Sequence, residues 1–384
     1  MNLRRLLAFA IAVALIVLAV GIIFLKSSGS DQITIALNVP LTGPVAAWSG
    51  QYANGFNFGI EDACKEHGID PSIFRVDSQD NQGKPDIAVS VFRSQQQRGF
   101  DIYVTAAAGP VNAVTPLVDE TGKPHFIASF DTTITRSSKS RFRLMANSRL
   151  EVPLFIDLVR KKEAKSVHFI YLNYPNLESQ YSDFLEPELS NLGVAVSRDV
   201  FEMDARDFRL LVERASTKNA DLIFAMGFSF HLQPLLEQLQ LKGLAEQGRV
   251  VANMDAVDLL ATGENKAILK GVVFTCPYFD IPGKAEKAAS WRERYEARFG
   301  QIPTYVPAYA YDNAVLVVKA FKESGRVDAA ALSNAVPFLG INGEIDFDQY
   351  RDIKATVGLV ELFNGVVKEV KDVKPLTTQL KKAG

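Results

Sequence analysis

The sequence is poor in the residues on which most metal sites and disulfide frameworks depend. Its 384 residues include two cysteines and four histidines. Cys64 lies on a predicted helix and Cys276 follows a distant predicted strand, so we expect buried free thiols rather than a disulfide framework. A surplus of charge is also missing, because 42 basic residues stand against 44 acidic ones. A nucleic-acid-binding face would need a basic surplus, and no nucleic acid partner is therefore expected.

The common enzyme motifs are missing as well. The chain has no G-x-x-x-x-G-K-[ST] loop, no G-x-G-x-x-G turn opening a helix and no G-x-S-x-G turn. The histidines are scattered, and each is interpreted as a core or surface residue rather than a metal ligand; they are His67, His125, His168 and His231. The sequence therefore predicts a protein that is not an enzyme and needs no cofactor or metal.

One long apolar run stands at the N-terminus. Arg4 and Arg5 precede an uninterrupted apolar stretch over residues 6–25, which the polar residues 27–30 follow. Twenty residues match a hydrocarbon core of about 30 Å, whereas secretory signals usually carry a shorter apolar core. An uncleaved anchor is favoured over a removed signal, and small residues near position 30 keep cleavage open. Either way the body is expected in the periplasm or at the cell exterior, and the anchor would tether it to the membrane by residues 6–25.

After residue 31 strands and helices alternate. Predicted strands such as Ile33 to Val39 and Ile102 to Ala107 each precede an amphipathic helix, and the same unit repeats beyond residue 150. Such alternation predicts an α/β fold in which helices cover both faces of mostly parallel sheets, here in two similar lobes. The long helices predicted at 284–299 and 309–324, with the hairpin-like run 343–363, are expected to complete these two lobes.

Polar and aromatic residues follow the ends of the predicted strands. The stretch Leu37 to Gly59 passes from a buried strand through a Pro/Gly-broken loop into a helix, and Trp48 lies in it. Ligands of open α/β sheets bind at the carboxyl ends of strands. The other residues in such positions are Ala108, Gly109, Ser129, Asp131, Tyr174, Phe228 and Asp255. Each alone also fits a cap, a loop or a core residue, but together they predict a binding site at the rims of two lobes.

A set of short motifs holds its order and spacing from about residue 31 to residue 370. The set includes P-L-T-G-P at 40–44, G-K-P-H-F-I-A-S at 122–129, F-R at 142–143, A-D-L-I-F at 220–224, A-Y-A-Y-D-N-A at 308–314 and G-x-I-D-F-D at 343–348. On these motifs the chain resembles the type I periplasmic solute-binding proteins of the leucine/isoleucine/valine-binding family, whose members serve ABC transporters.

The resemblance implies two Rossmann-like lobes joined by a hinge of three crossings. The expected boundaries are an anchor helix over 1–30, a first lobe of 31–149 with 279–338, a second lobe of 150–278 with 339–370, and a tail of 371–384. Closure on a small ligand would present the protein to an ABC permease in the membrane. A ligand-sensing ectodomain that acts through a membrane partner is the alternative function.

The family's binding residues carry over position by position. Trp48 corresponds to the aromatic residue that packs on the ligand side chain, and Phe228 to the aromatic wall of the second lobe. Ala108 and Gly109 correspond to the loop that holds the ligand carboxylate. Asp255 corresponds to the acidic residue that pairs with the α-ammonium, and Tyr174 is a loose substitute for the family's Y-G.

Two departures bear on the ligand. The hydroxyl residue common at the position of Ala108 and Gly109 is missing, and Asp131 stands in the loop that, with Ser129, shares ammonium and carboxylate. An ionised Asp131 would repel a ligand carboxylate in a closed cleft. A one-residue shift would place Thr132 there instead. The ligand is therefore expected to be an amide, an amine or another amino-acid-like, donor-rich solute rather than a plain branched-chain amino acid.

Overall fold

The computed structural model describes residues 32–43, 46–131, 134–261, 266–354 and 356–370. The apolar run at 6–25 and the tail at 371–384 lie outside these residues, and so do the anchor helix and the C-terminal tail that were predicted there. Within the described ranges, none of the helices combines the length and the apolar character needed to cross a lipid bilayer.

The first part of the chain builds a five-stranded parallel sheet in the order β2-β1-β3-β4-β5. Its strands are β1 (Ile33–Val39), β2 (Phe74–Asp80), β3 (Ile102–Ala106), β4 (His125–Ala128) and β5 (Arg141–Phe142). The connecting helices are α1 (Ala46–His67), α2 (Pro85–Arg98) and α3 (Ala108–Asp119). Helix α1 begins at Ala46 rather than at the predicted Gln51, so Trp48 lies in the first turn of a helix and not in a loop.

The second part builds a seven-stranded sheet in the order β14-β13-β10-β9-β8-β6-β7. Its parallel strands are β6 (Ser166–Leu172), β7 (Ala195–Phe201), β8 (Leu222–Met226), β9 (Val250–Ala252) and β10 (Val272–Pro277). Two antiparallel strands, β13 (Val357–Phe363) and β14 (Val366–Glu369), extend one edge. The hairpin β11 (Phe338–Gly340) and β12 (Gly343–Ile345) stands apart from both sheets.

The remaining helices follow strand β5 in the chain. They are α4 (Ser148–Lys161), α5 (Pro175–Ser179), α6 (Glu186–Asn191), α7 (Arg209–Lys218), α8 (Ser229–Leu241), α9 (Ala288–Phe299), α10 (Tyr305–Ser324) and α11 (Ala329–Asn334). A π-helical turn, Gln180–Leu185, separates α5 from α6. Asn147 caps α4 by accepting the backbone N–H of Arg149 at 3.1 Å, and Thr304 caps α10 in the same way.

Helix α10 packs on the first sheet's helix α1 although it follows the second sheet in the chain. Gly55 and Gly59 lie one turn apart on α1, and a Cβ on either would collide with the backbone of α10 at Pro307 or Tyr311. The Asn313 amide also donates to the Tyr52 hydroxyl at 3.1 Å. Because glycine has no side chain, the two helices approach closely, and α10 belongs structurally to the first sheet.

Candidate functional site

A cleft of about 320 Å³ opens between the carboxyl ends of the two parallel sheets. The strand order reverses between β1 and β3 in one sheet and between β6 and β8 in the other, and loops that follow these strands bound the cleft. On the side of the first sheet it is lined by Ala107, Ala108, Ala128, Ser129, Phe130 and Thr304; on the side of the second by Tyr174, Asn176, Phe228, Ser229, Phe230, Asp255 and Asp258. Open α/β sheets bind ligands at such switch points.

The N-terminus of helix α3 faces the cleft at Ala107 and Ala108. Ala107 has a φ of 76°, a left-handed conformation that costs an alanine free energy, and it is held by its N–H bond to the Ala128 carbonyl at 3.0 Å. No side chain caps this helix, and none caps α8, which begins at the cleft residue Ser229. Two helix N-termini from opposite sides thus offer partial positive charge to a ligand carboxylate.

A buried arginine fixes the loop after β4. The Arg143 guanidinium is fully buried and donates through Nη1 to the carbonyls of Ser129, at 3.0 Å, and of Asp131. Its Nε and Nη2 form a bidentate pair with the Asp352 carboxylate at 2.6 and 3.0 Å. The Thr135 hydroxyl donates to the same carboxylate at 2.8 Å. Since every guanidinium nitrogen has a partner, the loop carrying Ser129 is set by a segment more than two hundred residues away.

Aromatic rings form the wall on the side of the second sheet. The Tyr174 and Phe228 rings meet edge to face with centroids 5.1 Å apart, and Phe230 lies 5.8 Å from Phe228. Phe230 stays 46% exposed, and the Arg206 guanidinium lies 4.9 Å from its ring centre. The wall can pack on an apolar or cationic part of a ligand through its faces.

Two carboxyl groups stand beside the aromatic wall. Asp255 and Asp258 lie on one 3₁₀ helix, Met254–Ala261, and both line the cleft. Burial and the charges of Asp258 and Glu151 raise the pKa of Asp255 well above its usual value. Burial and the charge of Asp280 raise the pKa of Asp258 to about 6. A cation bound in the cleft would stabilise the ionised form of both carboxylates and so offset the cost of their desolvation.

A second layer of hydrogen bonds supports the acidic 3₁₀ helix. The buried Glu151 carboxylate of α4 accepts the backbone N–H of Met254 at 2.7 Å and the Gln180 amide at 2.9 Å. Gln180 also donates to the Ser148 carbonyl at 2.7 Å, and the cleft residue Asn176 donates to the Ser148 hydroxyl at 3.1 Å. The π-helical turn brings Gln180 to this position, a use of π-turns that is frequent at functional sites.

Five of the eight residues predicted for the site line the cleft: Ala108, Ser129, Tyr174, Phe228 and Asp255. Gly109 does not line it, because its Cα faces the Pro85 ring. Asp131 does not line it either. Its backbone N–H donates to the Ser129 hydroxyl at 3.3 Å, and its carbonyl accepts from the Arg143 guanidinium. The Trp48 side chain lies outside what the structure describes.

Sequence reasoning missed several lining residues, of which Asp258 matters most for chemistry. The sequence signal for Asp258 was its spacing of three residues from Asp255, because residues three apart share one face of a 3₁₀ helix. Nothing in the sequence distinguished a 3₁₀ helix from a loop at 254–261. Among the described residues, no group of three His, Cys, Asp or Glu side chains is placed to hold a metal ion.

The fold is shared with many solved solute-binding proteins. A leucine-binding protein from Thermotoga maritima is 21% identical, with 89% of this chain and 99% of that one covered and a TM-score of 0.71. A branched-chain amino acid transporter substrate-binding protein from Streptococcus pneumoniae, in complex with isoleucine, is 20% identical, with 90% and 100% covered and a TM-score of 0.73. A solute-binding protein of an ABC transporter from Rhodopseudomonas palustris, in complex with 3,4-dihydroxybenzoic acid, is 20% identical, with 91% and 99% covered and a TM-score of 0.74.

These likenesses agree with the resemblance seen in the sequence motifs. The family model for periplasmic binding proteins matches residues 32–355. The match spans most of the chain and includes every residue that lines the cleft. The chain therefore belongs to the periplasmic binding protein family, whose members are solute-binding proteins and not enzymes.

Proposed function

We propose that the protein captures a small amino-acid-like or amide solute between its two lobes and delivers it to an ABC permease. The observation that carries the proposal is the cleft, which is lined from both sheets by residues that follow parallel strands. Family membership implies an extracytoplasmic location. A membrane tether at residues 6–25 stays a prediction, and so does the permease as partner.

Capture would proceed by closure of one lobe on the other. The proposed lobes are 31–149 with 279–338, and 150–278 with 339–370. Support comes from the packing of α10 on α1 and from the place of β13 in the second sheet, since the chain then passes between lobes three times. Arg143 and Ile353 pair two of these passages, because the Ile353 N–H donates to the Arg143 carbonyl at 2.8 Å. A hinge of paired segments restricts the motion to rotation about them.

The polar groups of the cleft fit a zwitterionic or amide ligand. Asp255 would pair with an ammonium or amide N–H, and its orientation is fixed because the Asn253 amide donates to it at 2.7 Å. Ser129 and the uncapped N-terminus of α3 at Ala108 would take the carboxylate or carbonyl oxygen. The rings of Tyr174 and Phe228 would pack on the body of the ligand. The roles assigned to Trp48, Gly109 and Asp131 stay predictions.

The acidic lining also bears on which solutes are excluded. A second carboxylate in the cleft disfavours a plain branched-chain amino acid as the ligand. Asp131 was expected to supply that carboxylate, whereas in the structure Asp258 lines the cleft. An apolar ligand side chain placed beside Asp258 would desolvate the carboxylate without pairing it. The proposed ligand is therefore richer in hydrogen-bond donors than leucine or isoleucine.

A thermal-shift screen of the full-length protein tests the proposal. The panel would hold neutral and charged amino acids, aliphatic amides, urea, diamines and aromatic acids. A ligand at about a thousand times its dissociation constant adds roughly 4 kcal/mol to the free energy of unfolding, which gives a clear rise in Tm. We expect a hit among amino acids or amides that the substitution Asp255→Asn removes. A hit that survives Asp255→Asn unchanged would place the ligand elsewhere and contradict the proposal.

A further inference from the structure

The charged side chains that line the cleft in the described part of the chain are all acidic. Two aspartates line it, and no lysine, arginine or histidine is among the lining residues that the structure describes. The short internal stretches that the structure leaves out contain no basic residue either. Arg206 lies 4.9 Å from the centre of the Phe230 ring and is not among the residues that line the cleft. The described lining residues therefore supply no basic counter-charge to the acid pair.

The two carboxyl groups are held in register. A 3₁₀ helix has three residues per turn, so Asp255 and Asp258 extend from the same face, and a rise of about 2 Å per residue separates their backbones by about 6 Å along the axis. Asn253 orients Asp255, and Ser229 at the start of α8 hydrogen-bonds Asp258. Glu151 fixes the start of the same 3₁₀ helix through the Met254 N–H. The carboxylates thus form two separate cation-binding positions on one rigid support.

The remaining lining residues suit what would connect two cationic groups. The stem of an arginine or lysine side chain consists of three or four methylene groups and is apolar. The rings of Tyr174 and Phe228 offer an apolar surface to such a stem, and ring faces also attract a guanidinium or ammonium group. Phe230 extends this wall to the mouth of the cleft. A neutral aliphatic side chain would use the rings but leave Asp258 unpaired.

From this geometry we infer that the ligand is an α-amino acid with a cationic side chain, of the arginine or lysine class. Asp255 takes the α-ammonium, Asp258 takes the side-chain cation, and the helix N-terminus at Ala108 takes the carboxylate. The inference rests on the proposed function, since it names the solute class for the same cleft. It also excludes anionic aromatic acids, which would bring a third negative charge beside the aspartates.

Matched pairs of amino acids separate charge from shape. Titration calorimetry of the full-length protein would compare arginine with citrulline, which keeps the shape of arginine without its charge, and lysine with norleucine, which lacks the terminal ammonium group. We expect the cationic member to bind at least about tenfold more tightly, as for hydrogen bonds between charged groups. Asp258→Asn should reduce this ratio towards one.

A control variant shows whether the effect is local. Asp157→Asn removes a carboxylate of the same lobe that is exposed on α4 and pairs only with Lys161 one turn on, and it should leave both affinities unchanged. Citrulline or norleucine binding as tightly as its cationic partner overturns the inference and leaves the proposed function standing. Tight binding of benzoate also overturns the inference, because the inference excludes anionic aromatic acids. If no amino acid or amide binds at all, the proposed function itself fails and the inference with it.

Discussion

Removing the carboxylate of Asp352 should destabilise the protein more than any surface substitution. The Arg143 side chain is 0% exposed and the Asp352 side chain 9% exposed. Asp352→Ala removes both acceptors from Nε and Nη2 and leaves a desolvated guanidinium without its counter-charge. It also leaves the buried Thr135 hydroxyl without its acceptor. Breaking a buried pair in this way costs about 3–5 kcal/mol.

A neighbouring aspartate offers the matched control. Asp346 pairs with Lys354, whose side chain is 56% exposed, so the pair is screened by solvent. Asp346→Ala should therefore cost at most about 1 kcal/mol. Asp352→Asn keeps one oxygen acceptor and should fall between the two alanine variants. The double substitution Arg143→Met with Asp352→Leu should cost less than Asp352→Ala, because no unpaired charge then remains buried.

Urea denaturation followed by circular dichroism measures these differences, and calorimetry measures the accompanying loss of ligand affinity. Affinity should fall in Asp352→Ala because Arg143 also holds the carbonyls of Ser129 and Asp131. If Asp352→Ala lost no more stability than Asp346→Ala, the pair would not be desolvated and the account of the hinge would be wrong. If Asp352→Ala lost the predicted 3–5 kcal/mol of stability but kept its ligand affinity, the Arg143–Asp352 pair would stabilise the hinge without positioning the cleft loop.

Three further results are expected. The affinity for arginine should fall as the pH is lowered through 6, because the pKa of Asp258 is raised to about 6, that of Asp255 is raised as well, and only an ionised carboxylate pairs with a cation; calorimetry between pH 5 and 8 checks this. Gly55→Ala should cost about 1–3 kcal/mol by pushing α10 away, whereas Gly50→Ala on the same helix, with no atom near its Cβ, should be neutral or stabilising in urea denaturation. Phe228→Ala should weaken binding at least about tenfold, and the exposed Phe363→Ala should not, when both are titrated with arginine.

The fold could be predicted from the sequence because its strands and helices leave local patterns in the sequence. The strand Ile33–Val39 is rich in Ile, Leu and Val, as is typical of parallel sheets buried on both faces, and it was placed to the residue. The start of α1 was misplaced, since P-V-A-A-W-S-G contains Pro and Gly and gives no helix cap. The two-residue strand β5 was missed because its length carries no period.

The candidate site was predicted in part for a related reason. Residues that directly follow strands, such as Ser129 and Phe228, were found because strand ends are visible in the sequence. Asp258 was missed, and Asp131 is not among the lining residues, because each position depends on how a loop turns. Those turns are set by distant contacts, with Arg143 holding the first loop and Glu151 the second. Such contacts have no local signal.

Closure on a bound solute is the central claim, and small-angle X-ray scattering tests it most directly. The full-length protein would be measured alone and with saturating arginine, with calorimetry on the same sample to establish that arginine is bound. Closure about the three passages brings the two sheets together, so the account predicts a smaller radius of gyration with arginine. An unchanged radius of gyration in a sample shown to be saturated would contradict it.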